Sequence, residues 1–431
     1  MASTTKDIKN ERLSRFYSEK KEDIISLDES QEKDERLSKP YWEGESSRIK
    51  KSVDYEEYLD NIDTGVNNNM ENETKEEKPA VQSAGSDFDD FDFVDHYGDD
   101  VVEESDDLLP DNTAPSAISC GFVGIGGGGG KMAKAFLDLG FNKTLLINTT
   151  EKDQPEGVDP EHFLLLEGAD GVGKDVTLGK RVLSENSAVV ENTLRSKFGK
   201  LDWLFVLVGG GGGTGSSSHV LNDTFDRYLK SVQGGGRVIY VVSVPTAQEL
   251  LNPTISNNSR TVLDDVKGSP HIVIDNERQL QLLRGKVGML GMYPKSNKAF
   301  AKMLSQVFKL ASEVSPVQSF DSKDLERLLR TEGRMFMGTT SVRDPSQRQL
   351  GLTLFQTCMK NSPCPPVSGK PSVGSLLLVV TPEMADDPTV SNQLESAISY
   401  VGGRSKTLFS GVYVRSGLPG LIAITAFGGL K

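Results

Sequence analysis

The stretch Leu204–Ser218, LFVLVGGGGGTGSSS, decides how this chain is read. An apolar run of strand length opens into five glycines, then Thr214, Gly215 and three serines. A backbone stripped of Cβ atoms can wrap closely around a polyphosphate and aim several N–H groups at it. A hydroxyl-rich segment entering a helix adds side-chain donors and the positive end of the helix dipole. A second run of the same kind, Gly124-Ile125-Gly126 through Gly130, follows another apolar segment upstream. Two phosphate-cradling loops in one domain are a narrower signature than either alone.

At 431 residues the chain is long enough for two domains and a sizeable core. Its net charge of −14 is unevenly spread. Residues 1–120 hold 33 acidic and 14 basic residues, a balance of −19, while the remainder is at +5. The acidity therefore describes a tail rather than the folded body. No basic cluster with interleaved aromatics occurs, so no nucleic-acid surface is expected. The three cysteines, Cys120, Cys358 and Cys364, form no CxxC pair and no metal-like spacing, which argues against a disulfide scaffold or structural zinc site. The N-terminus lacks an apolar h-region and no run of 18 apolar residues occurs. A soluble cytoplasmic chain without membrane insertion is expected.

Residues 1–115 are rich in Glu, Asp, Lys, Ser and Asn and lack sustained periodicity. Such a segment cannot bury enough apolar surface to offset its ordering entropy, so a disordered acidic tail is expected there. Between Lys78 and Lys131 there is no Lys or Arg, and Asp87–Phe93 reads DFDDFDF. This stretch is either a self-repelling solvated linker or a docking peptide whose Phe88, Phe91 and Phe93 fill pockets on a basic protein partner.

From Ile118 the texture changes. Strand-like Ile118–Ile125, Thr144–Asn148, Trp203–Val208, Arg237–Val244 and His271–Ile274 alternate with Lys131–Leu139, Lys180–Phe198 and Ser217–Ser231, which carry helical spacing. That rhythm predicts an α/β fold with a doubly wound parallel sheet, with the glycine loops at the carboxyl ends of strands. Asn297 to about Ser312 aligns Phe300, Met303, Leu304, Val307, Phe308 and Ala311 on one helical face, as a core helix would. Beyond Arg334, strands at Leu376–Val380, Ser410–Arg415 and Leu421–Ala426 with a helix at Val390–Tyr400 suit a smaller α+β C-terminal domain. The expected organisation is a tail over 1–115, a nucleotide-binding domain over 116–295, a central helix and acidic loop over 296–330, and the C-terminal domain over 331–431.

Three readings of the glycine loops compete. A Rossmann dinucleotide site, as in an NAD-dependent oxidoreductase, needs an acid ending the second strand, which instead ends Ile147-Asn148-Thr149-Thr150. It also leaves the second loop unexplained. A Walker A loop fails around Lys131. Its spacing fits Gly168–Asp175, but Asp175 stands where Ser or Thr should ligate magnesium. The third reading accounts for Gly124–Lys131, Gly168–Asp175 and Gly209–Ser216 together. Here the chain resembles the tubulin/FtsZ superfamily of polymerising GTPases, on the FtsZ side, from about Ile118 to Gly429.

That resemblance implies GTP or GDP as ligand and Mg2+ as companion. It puts the α- and β-phosphates on Gly210, Gly211, Gly212, Gly213, Thr214, Gly215 and Ser216. Gly126, Gly127, Gly128, Gly129 and Lys131, with Gly171 and Gly173 of the 168–175 loop, approach the β- and γ-phosphates. Asn148, which closes the second strand, is implied as a nucleotide-binding residue, and Pro245 and Glu249 belong to the ribose loop. Ile274–Arg278 is similar to the family's PNDR stretch and places Asn276 and Arg278 at the sugar and guanine edge. Asn297 opens the central helix against the base. Asn offers both a donor and an acceptor, which suits guanine's edge, while taken alone each Asn reads as a turn or cap residue.

Ser319-Phe320-Asp321-Ser322-Lys323-Asp324 resembles the family's NxDxxD loop, and Arg334–Gly338 its ALMG strand. By resemblance, Asp321 and Asp324 are catalytic acids that reach the γ-phosphate of the neighbouring subunit. Read as residues alone, two acids at a helix start are capping groups. Ser319 replaces the usual Asn, and Thr150 stands where an acid often sits near magnesium, with Glu151 or Asp153 as substitutes. The resemblance implies a GTPase whose site is completed by head-to-tail self-assembly, serving cell division or the positioning of DNA or virions. The alternative is a tubulin-like scaffold that binds GTP without hydrolysing it. The sequence ends at Lys431, where the family's C-terminal tail or outer helices would follow, so partner recruitment is expected of the N-terminal tail.

Overall fold

The computed structural model describes residues 108–430. The expected disordered tail lies outside the described residues except for its last few. Those are tied to the body: Leu109 is buried and its N–H donates to Lys197 O at 2.8 Å, and Asn112 Nδ2 donates to Cys120 O at 2.8 Å. The packed body therefore begins ahead of the expected boundary at 115.

One ten-stranded sheet runs through these residues in the order β3-β2-β1-β4-β5-β6-β7-β10-β8-β9. Its parallel half comprises β1 (Cys120–Ile125), β2 (Thr144–Asn148), β3 (Phe163–Leu165), β4 (Trp203–Gly209), β5 (Val238–Val244) and β6 (His271–Asp275). β4 reads WLFVLVG with six buried positions in succession, as a strand covered on both faces must. Alternate residues serve opposite faces: Val206 and Val208 join one apolar cluster, while Phe205 and Leu207 join the other.

The C-terminal half is β7 (Arg334–Val342), β8 (Val373–Val380), β9 (Thr407–Val414) and β10 (Leu421–Leu430). β7 pairs parallel with β6 at His271↔Arg334 and Ile272↔Met335, and antiparallel with β10. The two halves thus share one sheet. The proline-rich loop supports this junction, with Arg334 donating to Pro365 O at 2.8 Å and Asp275 N to Pro363 O at 2.9 Å.

The helices differ from the periodicity in instructive ways. α1 (Gly126–Leu137) begins at the first glycine after β1, not at Lys131. The segment expected as one helix over Lys180–Phe198 is two, α2 (Val176–Glu185) and α3 (Ser187–Phe198). The break falls at Asn186, whose Nδ2 donates to Val182 O and Glu167 O, both at 2.9 Å. Ser217–Ser231 likewise resolves into a short 3-10 turn (Ser218–Leu221) and α5 (Asn222–Ser231), with the one-turn helix α4 (Gly213–Ser216) ahead of it. Two further helices, not expected from the sequence, follow strands: α6 (Pro253–Val266) and α7 (Asn276–Leu283).

α8 (Met292–Ser312) is the long amphipathic helix, and every residue of its expected apolar face is buried. Phe308 packs at 5.5 Å from Phe205 and 6.1 Å from Phe141, and Phe300 at 6.2 Å from Phe136, ring centroid to centroid. The remaining helices are α9 (Ser322–Leu329), α10 (Leu350–Asn361), α11 (Pro382–Asp386) and α12 (Pro388–Gly402). All three cysteines are free and buried, and burial pushes the Cys120 thiol up to about 12.

Removing the Phe308 ring leaves a cavity between α8 and the sheet. Phe308→Ala is expected to cost about 3–5 kcal/mol, read as a lower urea midpoint with an unchanged slope. A loss under about 1 kcal/mol would show that α8 does not depend on this cluster.

Candidate functional site

A cleft of about 570 Å³ opens at the carboxyl ends of the parallel strands. β1 contributes Ile125, β4 Gly209, and β5 Ser243 with Pro245 just beyond, while Asn276 follows β6. The strand order reverses at β1, between β2 and β4, which is where open α/β sheets form a ligand crevice.

Both glycine runs leave the sheet here and pass each other at backbone contact. β1 and β4 are neighbours in register, Ile125 opposite Val208, so their exits lie at the same level. A Cβ on Gly128 would stand 3.2 Å from Gly209 Cα, and one on Gly126 would stand 3.0 Å from Gly215 N. Gly126 also has φ +72°, a conformation that side chains resist. Glycine in a helix costs about 1 kcal/mol relative to Ala, so the glycine start of α1 is dictated by this approach and not by helix propensity.

The N-cap of α1, Ile125, makes no side-chain cap, and the first turn holds no acid. Its leading N–H groups therefore face the cleft as free donors with the helix dipole behind them. Gly212 and Gly173 border open space, which leaves their backbones accessible to a ligand. These are the properties of an anion cradle.

Of the residues expected from the sequence, Gly126, Gly127, Gly128, Lys131, Gly173, Gly210, Gly211, Gly212, Gly213, Thr214, Gly215, Pro245, Glu249, Asn276 and Asn297 line the cleft together. Asn276 Oδ1 accepts from the Ser243 hydroxyl at 2.8 Å, which leaves its amide nitrogen as donor. One oxygen of Glu249 is taken by Thr246, from N at 2.7 Å and Oγ1 at 2.9 Å.

Five expected residues do not line it. Gly129 lies on the face of α1 that packs against β4, where a Cβ would meet Leu207 O, and Ser216 is fully buried. Gly171 turns the 168–175 loop at φ +79°, its N–H donating to Thr149 O at 2.7 Å. Arg278 points away from the cleft and holds Ser362 O at 3.1 Å and Met359 O at 2.7 Å. Asn148 is buried, accepts from Thr149 N at 2.8 Å and donates to Asp153 at 3.4 Å. It steadies the turn that presents Asp153 to the cleft.

Asp153, expected from the sequence as a substitute acid near magnesium, lines the cleft, as do Lys174, Ser243, Ile255, Met132 and Tyr293, which were not assigned to it from the sequence. Two left a readable trace. Lys174 follows Gly173, and Tyr293 stands one helical turn before Asn297, on the same face of α8. Glu151 is exposed and outside the cleft, so Asp153 is the lining acid of that turn. Thr150 caps the turn and donates to Asp170 at 3.0 Å, beside the Lys152–Asp170 ion pair at 3.2 Å.

Asp321 and Asp324 stand elsewhere. α8 enters the cleft with Tyr293 and Asn297, and the chain beyond its far end reaches Asp321; 21 residues of helix span about 30 Å. The two acids form a capping box on α9: Asp321 accepts from Lys323 N at 2.8 Å and Asp324 N at 3.0 Å, and Asp324 accepts from Asp321 N at 3.4 Å. Ser319 accepts from Ser315 N at 2.9 Å. Partial burial holds the Asp324 carboxyl above its ordinary range, and the charge of Asp321 pushes the same way, against the hydrogen bond from Asp321 N–H.

No protein-family model matches the sequence, and no curated protein is significantly similar. Solved structures are similar in fold. A GTPγS-bound protofilament of CetZ2 from Haloferax volcanii superposes with TM-score 0.60 at 20% identity, over 73% of this chain and 94% of that one. A GTPγS-form protofilament of TubZ from Bacillus thuringiensis serovar israelensis gives 0.60 at 16% identity, over 74% and 88%. An empty FtsZ dimer from M. jannaschii gives 0.56 at 16% identity, over 72% and 88%. Among the described residues no helix is long and apolar enough to cross a membrane.

The capping box gives the acids separable structural roles. Asp321→Ala is expected to cost about 1 kcal/mol of stability through the lost cap. Because the folded state favours neutral Asp324, the stability it contributes is present below the ordinary carboxylate range and lost as pH rises through its raised value. Asp324→Asn should remove that pH dependence, checked by urea unfolding on both sides of that range. A neutral-pH loss as large as that of Asp321→Ala would contradict this assignment.

Proposed function

We propose that this chain, which has the fold of the tubulin/FtsZ superfamily, binds GTP or GDP in the cleft at the ends of β1, β4, β5 and β6. The observation that supports the reading most is the backbone contact of two glycine runs at one strand level, which converges amides of both loops on one point. The base end of the cleft is then formed by Asn276, Asn297 and Tyr293. Their amides can read guanine's edge and the ring offers a stacking face. The Rossmann oxidoreductase reading is disfavoured because β2 ends on the buried Asn148 where a ribose-binding acid is needed.

In the same reading, the chain hydrolyses GTP after head-to-tail assembly. Asp321 and Asp324 do not line their own cleft, and in this reading they serve the cleft of the next copy. Such a heterologous contact propagates into an open filament. Exposed apolar side chains mark both ends: Leu251 and Leu290 near the cleft, Val314 and Val317 on the approach to the acids. Two of the structurally similar proteins were solved as nucleotide-bound protofilaments, which supports assembly of this one.

The chemistry asked of the protein is positioning and charge stabilisation. The amide cradle holds the phosphates in line, and a carboxylate from the neighbouring copy orients the attacking water. Asp153 would hold magnesium, which typically takes one or two carboxylates plus phosphate oxygens and neutralises developing charge. The scaffold reading also has an observation in its favour, since both acids are already engaged in capping α9.

Phosphate release measured against protein concentration separates the two. Assembly-dependent hydrolysis gives a steep onset above a threshold, whereas a scaffold gives a flat baseline with GTP still bound. Asp321→Asn should keep GTP affinity and lower turnover at least ~100-fold, with filaments persisting under electron microscopy. Parental turnover in that variant would remove Asp321 from the chemistry. Failure of the full chain to bind any guanine nucleotide would overturn the reading as a whole.

A further inference from the structure

Two cations line the cleft, one beside each glycine loop, and neither has an ion-pair or hydrogen-bond partner for its ammonium among the described residues: Lys131 and Lys174. The contrast with nearby lysines is clear. Lys134 pairs with Asp138 at 2.7 Å, Lys152 with Asp170 at 3.2 Å and Lys180 with Asp265 at 3.2 Å.

Position fixes what each can reach. Lys131 lies four residues after Gly127 and three after Gly128 on α1, so all three share a face. Helical side chains lean toward the N-terminus, which carries the Lys131 stem over the turn whose amides are free. Lys174 is held by backbone. Gly173 O accepts from Gly213 N at 3.0 Å, and Lys174 O accepts from Asn258 Nδ2 at 3.0 Å. The same Nδ2 donates to Gly211 O at 3.3 Å, so buried Asn258 staples the Lys174 backbone to the second glycine loop. Among the described residues no ion pair joins Lys131 or Lys174 to the lining acids Asp153 and Glu249.

Resting on the guanine-nucleotide reading above, we infer that Lys131 and Lys174 clamp the nucleotide's phosphate chain from both loops and supply part of the charge neutralisation otherwise left to a divalent cation. Lysine contributes here as a point charge on a flexible stem, able to follow the phosphates as they change. The clamp makes phosphate binding partly independent of metal. It also predicts that metal and lysines substitute for one another.

The test is equilibrium binding of a fluorescent GTP analogue to the full chain, with Mg2+ or with EDTA. In EDTA, Lys131→Met and Lys174→Met should each lower affinity at least ~30-fold, shrinking to less than about tenfold when Mg2+ is present. Lys131→Arg should retain most of the affinity, and Lys134→Met, on the same helix but outside the cleft, should match the parent in both conditions. If the parent binds with Mg2+ but the two Met variants bind as well as it does in EDTA, the clamp is overturned while the nucleotide reading stands. Equal losses with and without Mg2+ would also overturn the substitution of lysine for metal. If the parent binds no guanine nucleotide even with Mg2+, both fall. All the substituted lysines are at the surface or paired there, so cooperative unfolding at the parental midpoint confirms that folding is intact.

Discussion

Two backbones touching at Gly128 and Gly209 constrain everything around them. β1 and β4 are hydrogen-bonded neighbours in register, so the segments leaving them start side by side. At van der Waals contact between main chains there is no room for a Cβ, and the chain accepts a glycine-built start to α1 in consequence. What this cost brings is convergence: donors from two helix starts face one volume, with no side chain interposed. The cleft follows from a packing constraint as much as from any individual residue.

Around that contact the structure is arranged in supporting layers. Asn148 steadies the turn bearing Asp153, Asn258 ties the 168–175 loop to the second glycine run, and Ser243 orients Asn276. Asn148 and Asn258 do not line the cleft themselves, yet each of the three fixes a group that does. Thr246 does the same for Glu249, using one carboxylate oxygen and leaving the other available. Arg278 works in the opposite direction, binding carbonyls of Met359 and Ser362 and so anchoring the C-terminal half to the strand ends.

α8 links the two ends of the body. It is buried along an aromatic seam against β4, α1 and Phe141, and it carries cleft residues in its first turns. Asp321 and Asp324, which follow its far end in the chain, are not among the residues lining the cleft. Within one chain those acids are helix caps. The capping box that stabilises α9 also holds both carboxylates in place.

The sequence by itself determined the alternating α/β order, the strand cores, the apolar face of α8 and both glycine loops. These are local signals, since burial on both faces writes a continuous apolar run and close backbone approach writes glycine. It misplaced the start of α1 because helix propensity argues against Gly126–Gly130, whereas contact with a distant loop overrides propensity. Only the tertiary structure decided that Arg278, Gly129, Gly171, Ser216 and Asn148 support the cleft without lining it, that Lys174 and Tyr293 do line it, and that Asp153 rather than Glu151 is the lining acid of its turn. A side chain's direction depends on which elements pack beside it, and residues far apart in the chain, such as Asn258 and Lys174, leave no joint trace in a single sequence. The shared sheet joining β6 to β7 was hidden for the same reason, because strand pairing is written in the fold and not in either strand.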